Sequence, residues 1–571
     1  MDYKTEYQKW IDNKNLDGAL RSELEGIDDI EMRERFACHL NFGTAGLRGI
    51  LGAGINRMNI YVVRRATQGL AEYVKHAHGE EKGVAIAYDS RHMSKEFAAA
   101  AAQVLCANNV KTYLFSDMRP VPELSFTVRH LGCCAGVVIT ASHNPKIYNG
   151  YKVYGSDGGQ MAPDAADVVT KAIERVDIFD RAKSMSLDEA QRCGMLEYIC
   201  DEIDCAYLEN VSSQAINRGI FDELTDFGVV YTPFHGTGIK LVPRIIEQMG
   251  MKNLIIVSEQ SVPDGDFPTV KSPNPEDKEG FELAIRLAEK TNTDLIIGTD
   301  PDCDRVGIIV RSSGGEYVSL TGNQTGALLC DYILSASKER GTLPDNAVVV
   351  KTVVTTEMIR PIAAFYGARV DECLTGFKFI AEKIKDYETN NTGLYMFGFE
   401  ESYGYLKGTY CRDKDAVVAS MLICEMAAWY KKRGMTLYDA MQELYKKYGT
   451  FAEDVRNTYC EGVDGPAKIA AIIDNIRKNP PKEVGGISVT AVRDYQSGII
   501  TYRDGHTAPT NQIKNNMLYY ELENGKGWFA IRPSGTEPKF KVYFGYCDKD
   551  ADKAEAALSA IVQDVGRFTN N

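Results

Sequence analysis

The sequence lacks any stretch long and apolar enough to span a membrane. Its apolar runs, such as 295–298 and 347–350, fall far short of the roughly 20 residues that a transmembrane helix needs. The first twelve residues are acidic and amphipathic, without the charged-then-apolar pattern of a secretion signal. We therefore predict a cytoplasmic protein with no membrane partner.

The sequence also has fewer positively charged residues than negatively charged ones. The chain has 65 Lys and Arg residues against 79 Asp and Glu residues, a formal net charge of −14. A net negative charge disfavours the binding of nucleic acid, so we predict no nucleic-acid partner. A local basic pocket is still compatible with this net charge. The composition, 44% hydrophobic and 25% charged, excludes a disordered or fibrous chain.

Paired C-x-x-C spacings are absent, although the chain has fourteen cysteines. Without such pairs or a secretion signal, neither a zinc site nor a disulfide framework is predicted. We expect reduced thiols that act as small buried hydrophobic side chains. A G-x-x-x-x-G-K-[ST] nucleotide loop is missing as well.

What the sequence does contain is a regular alternation of short apolar runs with helix-length amphipathic segments. The runs are almost continuously apolar, as expected for strands covered on both faces, and lie at 83–88, 135–140, 227–231, 254–257, 295–298 and 347–351. Helical patterns such as 95–108 and 280–290 lie between them. This alternation predicts βαβ units with parallel or mixed sheets.

The length of 571 residues suggests roughly four domains at about 150 residues each. The tail differs in kind, with a helix at 467–478, alternating strands such as 486–490 and a last helix at 550–568. We predict three doubly wound, mixed-sheet α/β domains and a C-terminal α+β domain. Their predicted boundaries are 1–215, 216–320, 321–449 and 450–571.

Residues 140–145, Thr-Ala-Ser-His-Asn-Pro, follow the predicted strand 135–140. Ser142 is therefore expected just beyond the carboxyl end of a buried strand, where open α/β sheets bind ligands. No G-x-S-x-G elbow surrounds it, and an adjacent residue such as His143 rarely points at its neighbour's hydroxyl, so an acyl-transfer triad is not supported. Taken alone, the Ser-His-Asn-Pro segment is also typical of a plain turn.

Three aspartates, Asp300, Asp302 and Asp304, directly follow the predicted strand 295–298. In extended chain, alternate residues share one face, so these carboxylates can converge on one point. Because they repel one another, a hard divalent cation such as Mg²⁺ would be favoured between them. An EF-hand is excluded because its glycine and glutamate positions hold Arg305 and Arg311. A solvated acidic turn is the alternative.

Other polar segments contain glycines that admit close backbone approach. Residues 532–539, Arg-Pro-Ser-Gly-Thr-Glu-Pro-Lys, offer a guanidinium, two hydroxyls and backbone N–H groups to a phosphate. Residues 43–49 are similar, but they do not follow a strand as a dinucleotide loop would. Residues 398–404, Gly-Phe-Glu-Glu-Ser-Tyr-Gly, could bind sugar hydroxyls or equally begin a helix with an acidic first turn.

Together and in this order, these motifs resemble those of the α-D-phosphohexomutase superfamily, the phosphoglucomutases and phosphomannomutases. The resemblance extends from Phe42 to about Phe544. Segments 42–49, 375–379 and 398–404 look most like its long-form phosphoglucomutase branch, whose relatives include phosphopentomutases. The resemblance implies four domains around a central cleft. One departure is Phe399, where many relatives have glycine, and it weakens any inference about the preferred sugar.

The resemblance also implies a role for each motif. Ser142 is similar to the phosphoserine that donates and recovers the phosphoryl group. One Mg²⁺ would be held by that phosphate on Ser142 and by Asp300, Asp302 and Asp304. The groups around the phosphate would be Arg48, His143, Lys152 and Arg305, and the general acid or base would be Lys152, His143 or Lys378. The substrate would be bound by Gly376, Lys378, Glu400, Ser402, Arg532, Ser534, Gly535 and Thr536.

The implied activity is that of a phosphoglucomutase, which interconverts α-D-glucose 1-phosphate and glucose 6-phosphate through glucose 1,6-bisphosphate as intermediate and activator. Phosphomannomutase and phosphopentomutase are alternatives within the class. Outside it, a non-catalytic sugar-phosphate-binding protein would not need an intact Ser142 and three aspartates, and a phosphatase would not need two phosphate sites. The expected partner is a small sugar phosphate, and we expect a monomer or weak dimer.

Overall fold

The structure is a computed structural model that describes residues 2–43, 46–180, 182–460, 464–534 and 539–569. Four sheets follow one another along this part of the chain. No helix among the described residues has the length and apolar character needed to cross a lipid bilayer.

The first sheet is mixed and has six strands. They are β1 (Leu47–Ile50), β2 (Val84–Tyr88), β3 (Thr112–Phe115), β4 (Ala135–Ile139), β5 (Tyr148–Gly155) and β6 (Leu196–Ile199), in the order β1-β5-β4-β2-β3-β6. Its helices are α1 (Tyr3–Asp12), α2 (Gly18–Leu24), α3 (Asp29–Phe36), α4 (Ile60–His76), α5 (Ser94–Ala107), α6 (Val121–His130), α7 (Pro163–Glu174), α8 (Leu187–Arg192) and α9 (Asp201–Ser213). β2 and β4 are buried at every residue, which requires cover on both faces and agrees with their continuous apolar sequence.

The second sheet is also mixed. Its strands are β7 (Gly228–Thr232), β8 (Asn253–Ile256), β9 (Leu295–Thr299), β10 (Val306–Arg311) and β11 (Tyr317–Leu320), in the order β11-β10-β9-β7-β8. Its helices are α10 (Val242–Gln248), α11 (Ser258–Ser261) and α12 (Glu282–Thr291). β9 and β10 pair antiparallel, with Thr299 opposite Val306, so residues 300–305 form the turn of a hairpin.

The third sheet has the order β13-β12-β14-β15. Its strands are β12 (Ala347–Thr352), β13 (Arg369–Cys373), β14 (Leu394–Glu400) and β15 (Gly404–Leu406). Its helices are α13 (Gly322–Glu339), α14 (Ile359–Tyr366), α15 (Phe377–Asn390), α16 (Ala416–Lys431) and α17 (Leu437–Tyr448). A capping box at Thr321 and Gln324 fixes the start of α13.

The fourth sheet is antiparallel throughout and carries helices α18 (Gly465–Lys478) and α19 (Ala551–Thr569). Its main path is β16-β23-β22-β21-β18-β19-β20, with β17 paired to β18. The strands are β16 (Thr450–Tyr459), β17 (Glu483–Val484), β18 (Ile487–Asp494), β19 (Ile499–Tyr502), β20 (Thr507–Pro509), β21 (Leu518–Leu522), β22 (Gly527–Pro533) and β23 (Lys539–Asp548). Three mixed α/β units and a final α+β unit confirm the predicted fold class. The residue boundaries between domains stay predictions.

Two expectations about burial were wrong. The segment 254–257 was expected to be covered on both faces, but β8 is the edge strand of its sheet and is only partly buried. The fourteen cysteines are all free, yet only eight are buried. Cys38, Cys193 and Cys205 are exposed, because they lie at the ends or on the outer faces of helices.

Candidate functional site

A cavity of about 550 Å³ lies where the four units meet. Each unit contributes polar side chains to its wall from the end of a strand or the loop beside one. Ser142 follows β4, Arg305 precedes β10, Glu400 ends β14 and Arg532 lies on β22. The walls therefore bring together the motifs that the sequence separates by hundreds of residues.

Ser142 is almost fully buried at the wall of this cavity. Its backbone N–H donates to Thr140 Oγ1 at 2.9 Å, and its hydroxyl donates to Asp300 Oδ2 at 2.9 Å. The Nδ1 atom of His143 is 3.2 Å from Ser142 Oγ. The expectation that His143 would point away from its neighbour's hydroxyl was wrong, because Ser142 adopts a left-handed backbone with φ of 52° that turns the chain sharply.

The three aspartates converge, but for a different reason from the one predicted. The chain is not extended at this point, since Cys303 has a φ of 53°. Asp300 Oδ1 instead accepts the backbone N–H groups of Asp304 and Arg305 at 3.1 and 3.0 Å and closes a tight turn. One carboxylate oxygen of each aspartate lies within 4.8 Å of the others.

The donor set fits a divalent cation. Oδ1 of Asp302 and Oδ1 of Asp304 are buried without a hydrogen-bond partner. Burial and then repulsion from the neighbouring carboxylates raise the pKa of Asp300, and that of Asp304 as well. Burial acts in the same direction on Asp302, but the Lys152 ammonium, a hydrogen bond with Asp300 and the Lys414 charge together outweigh it and hold the pKa of Asp302 below its usual range. Buried, mutually repelling oxygen ligands are what Mg²⁺ would stabilise.

Cations surround the serine and the carboxylates. Lys152 Nζ is 2.7 Å from Asp302 Oδ2, and Arg48 Nη1 donates to Asn144 Oδ1 at 3.0 Å. Arg305 Nη1 donates to Glu276 Oε1 at 3.1 Å. Burial, followed by the charges of Arg305 and Arg48, lowers the pKa of His143 well below its ordinary value. Over its described lining residues, the cavity has seven Lys and Arg side chains against four carboxylates, an excess of positive charge suited to phosphate.

Glu400 forms part of a tight β-hairpin rather than of a helix start. It ends β14 and pairs with Gly404, the first residue of β15, so the helical alternative for 398–404 was wrong. Glu400 Oε1 accepts the backbone N–H of Gly376 at 2.9 Å, which ties the two proposed sugar-binding segments together. Ser402 and Gly376 also line the cavity. Lys378 is not among its described lining residues, and its Nζ lies 4.9 Å from the centroid of the Phe379 ring.

The fourth unit adds a second positive wall. Its described lining residues include Arg532, Ser534, Lys539 and Lys541. Gly535 and Thr536, which the sequence also assigns to phosphate binding, lie outside the described residues. Burial and then the neighbouring Glu400 charge raise the pKa of Glu401, beside this wall, to about 7.

The sequence interpretation missed several groups at the site. Lys414 Nζ is 3.0 Å from both Asp304 Oδ2 and Asp413 Oδ1, and it lines the cavity. The alternating charges at 412–415, Arg-Asp-Lys-Asp, were the available signal. Ser272 and Glu276 belong to a segment of the second unit that also lines the cavity. This segment contacts the loop that carries Ser142, where Ser272 Oγ donates to the carbonyl oxygen of His143 at 2.9 Å. Nothing local in that segment predicts the contact.

Comparison with known families accounts for most of the chain. Four successive segments match the domains described as phosphoglucomutase/phosphomannomutase alpha/beta/alpha domains I, II and III and C-terminal domain. The matched residues are 39–178, 206–314, 321–448 and 520–560.

Full-length relatives agree with this match. The chain is 36% identical over 557 residues to the phosphoglucomutase of Staphylococcus aureus strain N315, covering 97% of this chain and 98% of that protein. Its fold is similar to that of a putative phosphomannomutase from Thermus thermophilus, with a TM-score of 0.69 at 19% identity over 94% of this chain and 100% of that one. It is equally similar to pp63/parafusin from Paramecium, with a TM-score of 0.69 at 15% identity over 94% and 97% of the two chains. Four family domains in order and a full-length relative at this identity show that the chain belongs to the phosphoglucomutase/phosphomannomutase family of isomerases.

Proposed function

We propose that the protein is a phosphoglucomutase, which interconverts α-D-glucose 1-phosphate and glucose 6-phosphate. The observation that carries the proposal is the Ser142 hydroxyl, 2.9 Å from a carboxylate of the buried aspartate cluster and at the wall of a cavity with a second cationic wall. An isomerase of this kind must hold a reacting and a non-reacting phosphate at once. The name of the Staphylococcus aureus relative supports glucose as the sugar.

The aspartate cluster is the proposed metal site. Asp300, Asp302 and Asp304 would hold one Mg²⁺ together with an oxygen of the phosphate on Ser142. When bound, the ion would neutralise charge that develops on the oxygens of the transferring phosphoryl group. Lys152 and Lys414 keep two of the carboxylates oriented, through contacts of 2.7 and 3.0 Å.

The proposed reaction moves one phosphoryl group in each half. Phosphorylated Ser142 gives its phosphoryl group to the free hydroxyl of the sugar monophosphate, so that the Ser142 Oγ–P bond breaks and a sugar O–P bond forms. The product is glucose 1,6-bisphosphate, which turns over in the cavity and returns its other phosphoryl group to Ser142. Arg48 and Arg305 stabilise the charge on the transferring group.

Binding the sugar in two orientations requires groups away from Ser142. Glu400 and Ser402 would bind the sugar hydroxyls, with Gly376 and Lys378 in the loop that reads the orientation of the ring. Arg532 and Ser534, with Gly535 and Thr536, would hold the non-reacting phosphate. This division suits a cavity whose two cationic walls belong to different units.

The proton of the reacting hydroxyl also needs an acceptor. His143 Nδ1 lies 3.2 Å from Ser142 Oγ, within reach of the proton that the serine hydroxyl loses when it takes back a phosphoryl group. Lys152 is held by Asp302, and Lys378 is not among the described lining residues. We therefore assign His143 to proton transfer with Ser142 Oγ, and Lys152 and Lys378 are the candidates for the proton of the sugar hydroxyl.

The test is a direct comparison of substrates. Glucose, mannose and ribose 1-phosphates, each with Mg²⁺ and a trace of the matching bisphosphate, should all be assayed for the isomeric product. We expect the highest kcat/KM for glucose 1-phosphate. A higher value for mannose or ribose 1-phosphate would reassign the sugar, and no isomerisation of any of them would overturn the proposal.

Glu400→Gln tests the sugar site. Glutamine retains an oxygen to accept the Gly376 N–H but loses the charge that would strengthen a bond to a sugar hydroxyl. Since a hydrogen bond to a charged group contributes about 1.5–3 kcal/mol, kcat/KM should fall roughly 10- to 100-fold. Steady-state kinetics provide the measurement. Glu443→Gln, an exposed substitution on α17, is the control and should match wild type. An unchanged kcat/KM in Glu400→Gln would remove Glu400 from the sugar site.

A further inference from the structure

The Arg91 side chain binds the backbone of the loop that carries Ser142. Its Nη1 donates to the carbonyl oxygens of Pro145 and Tyr148, at 3.0 and 3.2 Å. Its Nη2 donates to the carbonyl oxygens of Ser142 and Asn144. One guanidinium thus satisfies four carbonyl groups of a single loop, which its planar set of N–H donors allows and the three donors of lysine do not.

This loop needs such support because Ser142 has an unfavourable backbone. A serine with a φ of 52° lies in the left-handed region that residues with a Cβ rarely adopt. Such conformations persist only where the surrounding structure enforces them. The Ser142 N–H is held by Thr140 Oγ1, and its carbonyl oxygen is held by Arg91.

Arg91 is itself fixed by residues of two units. Its side chain is buried, its backbone N–H donates to Asp89 Oδ1 at 2.9 Å, and its Nε is 3.4 Å from Asp89 Oδ2. The ring of Phe267 packs on the guanidinium, with 5.0 Å between Arg91 Cζ and the ring centroid. Phe267 follows α11 in the second unit, which also carries Asp300. The guanidinium therefore contacts both units whose approach sets the distance from Ser142 to Asp300.

We propose that Arg91 is a positioning residue that holds Ser142 Oγ at its distance from the aspartate cluster, and that Phe267 connects it to the unit that bears the cluster. The inference rests on the proposed function, since it concerns the group that would carry the phosphoryl group. Without the four bonds, the loop is free to leave its left-handed conformation. A displacement of the reacting oxygen by about 1 Å is enough to cost roughly 100-fold in rate.

Arg91→Lys tests the proposal while it keeps the charge. Intact-mass analysis after long incubation with glucose 1,6-bisphosphate counts the chains that accept one phosphate, and kcat is then expressed per such chain. We expect this kcat to fall by roughly 100-fold, with KM changed by less than about threefold, because the sugar-binding residues are untouched. A purely structural role would reduce the number of competent chains and leave kcat per chain unchanged.

Arg65→Lys is the matched control. Arg65 Nε also donates to two backbone carbonyl oxygens of the first unit, those of Ile173 and Val176, at 3.1 and 2.9 Å. It makes no described contact with the Ser142 loop. The kcat of this variant per competent chain should equal that of wild type.

A second variant keeps the test decisive if Arg91→Lys does not fold. Phe267 supplies no atom to the described hydrogen bonds of Arg91, so Phe267→Leu removes only the ring on the guanidinium face. We expect a smaller fall in kcat per competent chain, roughly 3- to 10-fold. The inference is overturned if Arg91→Lys has the wild-type kcat per competent chain. If only Phe267→Leu folds, a wild-type kcat per competent chain in that variant overturns it. Absence of isomerisation in wild type would instead overturn the proposed function.

Discussion

Ser142→Ala is expected to abolish isomerisation, with kcat lowered by roughly 10⁴-fold or more. Alanine removes the only atom of this residue that can form a bond to phosphorus. The hydroxyl's hydrogen bond to Asp300 is lost, but the cationic walls of the cavity stay in place. Binding of glucose 6-phosphate should therefore change by less than about threefold, because we propose that other residues hold the non-reacting phosphate and the sugar hydroxyls.

Two measurements check this result. Coupled assays give the rate of glucose 6-phosphate formation, and intact-mass analysis after incubation with glucose 1,6-bisphosphate gives the phosphate content. Wild type should gain one phosphate that maps to Ser142, and Ser142→Ala should gain none. Ser313→Ala is the control. It removes an exposed hydroxyl that hydrogen-bonds to Asp439, and it should behave as wild type. Isomerisation by Ser142→Ala at the wild-type rate would rule out a phosphoserine at this position.

Asp302→Asn should lower kcat by roughly 10³-fold, because a metal ion supplies several kcal/mol of transition-state stabilisation and each 1.36 kcal/mol is tenfold in rate. Asp302 Oδ1 is buried without a hydrogen-bond partner, and Oδ2 is bound by Lys152. The amide is uncharged and presents one oxygen in place of two. The substitution would thus weaken both the attraction to a cation and the contact that holds the Lys152 ammonium.

Calorimetric titration with Mg²⁺ separates these effects from a loss of folding. Loss of a group that only supports a metal ligand typically lowers metal affinity by about 10- to 100-fold. Since Asp302 would itself be a ligand, we expect the affinity of Asp302→Asn for Mg²⁺ to fall by at least this factor. Wild type treated with a chelator should lose activity to a similar extent and regain it with Mg²⁺. Asp226→Asn, an exposed substitution in the second unit, is the control. Unchanged Mg²⁺ affinity in Asp302→Asn would exclude the cluster as the metal site.

Much of the fold could be predicted because strands buried on both faces have a distinctive sequence. The runs that form β2, β4, β9 and β12 are apolar at nearly every position, and the structure buries all of them. The edge strand β8 has a similar sequence but is only partly buried. Its position at the edge follows from the order of strands in the sheet, which local composition does not determine.

The residues that line the candidate site could be predicted from the sequence to a similar degree. Polar residues that directly follow apolar strands were expected at the carboxyl ends of those strands, and Ser142 and Asp300 do lie there. The approach of His143 to Ser142 Oγ was not predictable, since it depends on one left-handed residue. The part played by Lys414 was missed because a lysine among other charges is usually a solvated surface residue.

The sequence by itself determined the fold class, the family and the set of chemical groups available to a phosphate and a cation. Only the tertiary structure decided how those groups meet. Ser142 and Asp300 are separated by 158 positions, yet their side chains lie 2.9 Å apart. That distance depends on the turn at Cys303 and on the packing of one unit against another, in which Arg91 contacts Phe267. Such long-range packing sets distances because it sums many contacts between distant segments, and no single segment of the sequence encodes that sum.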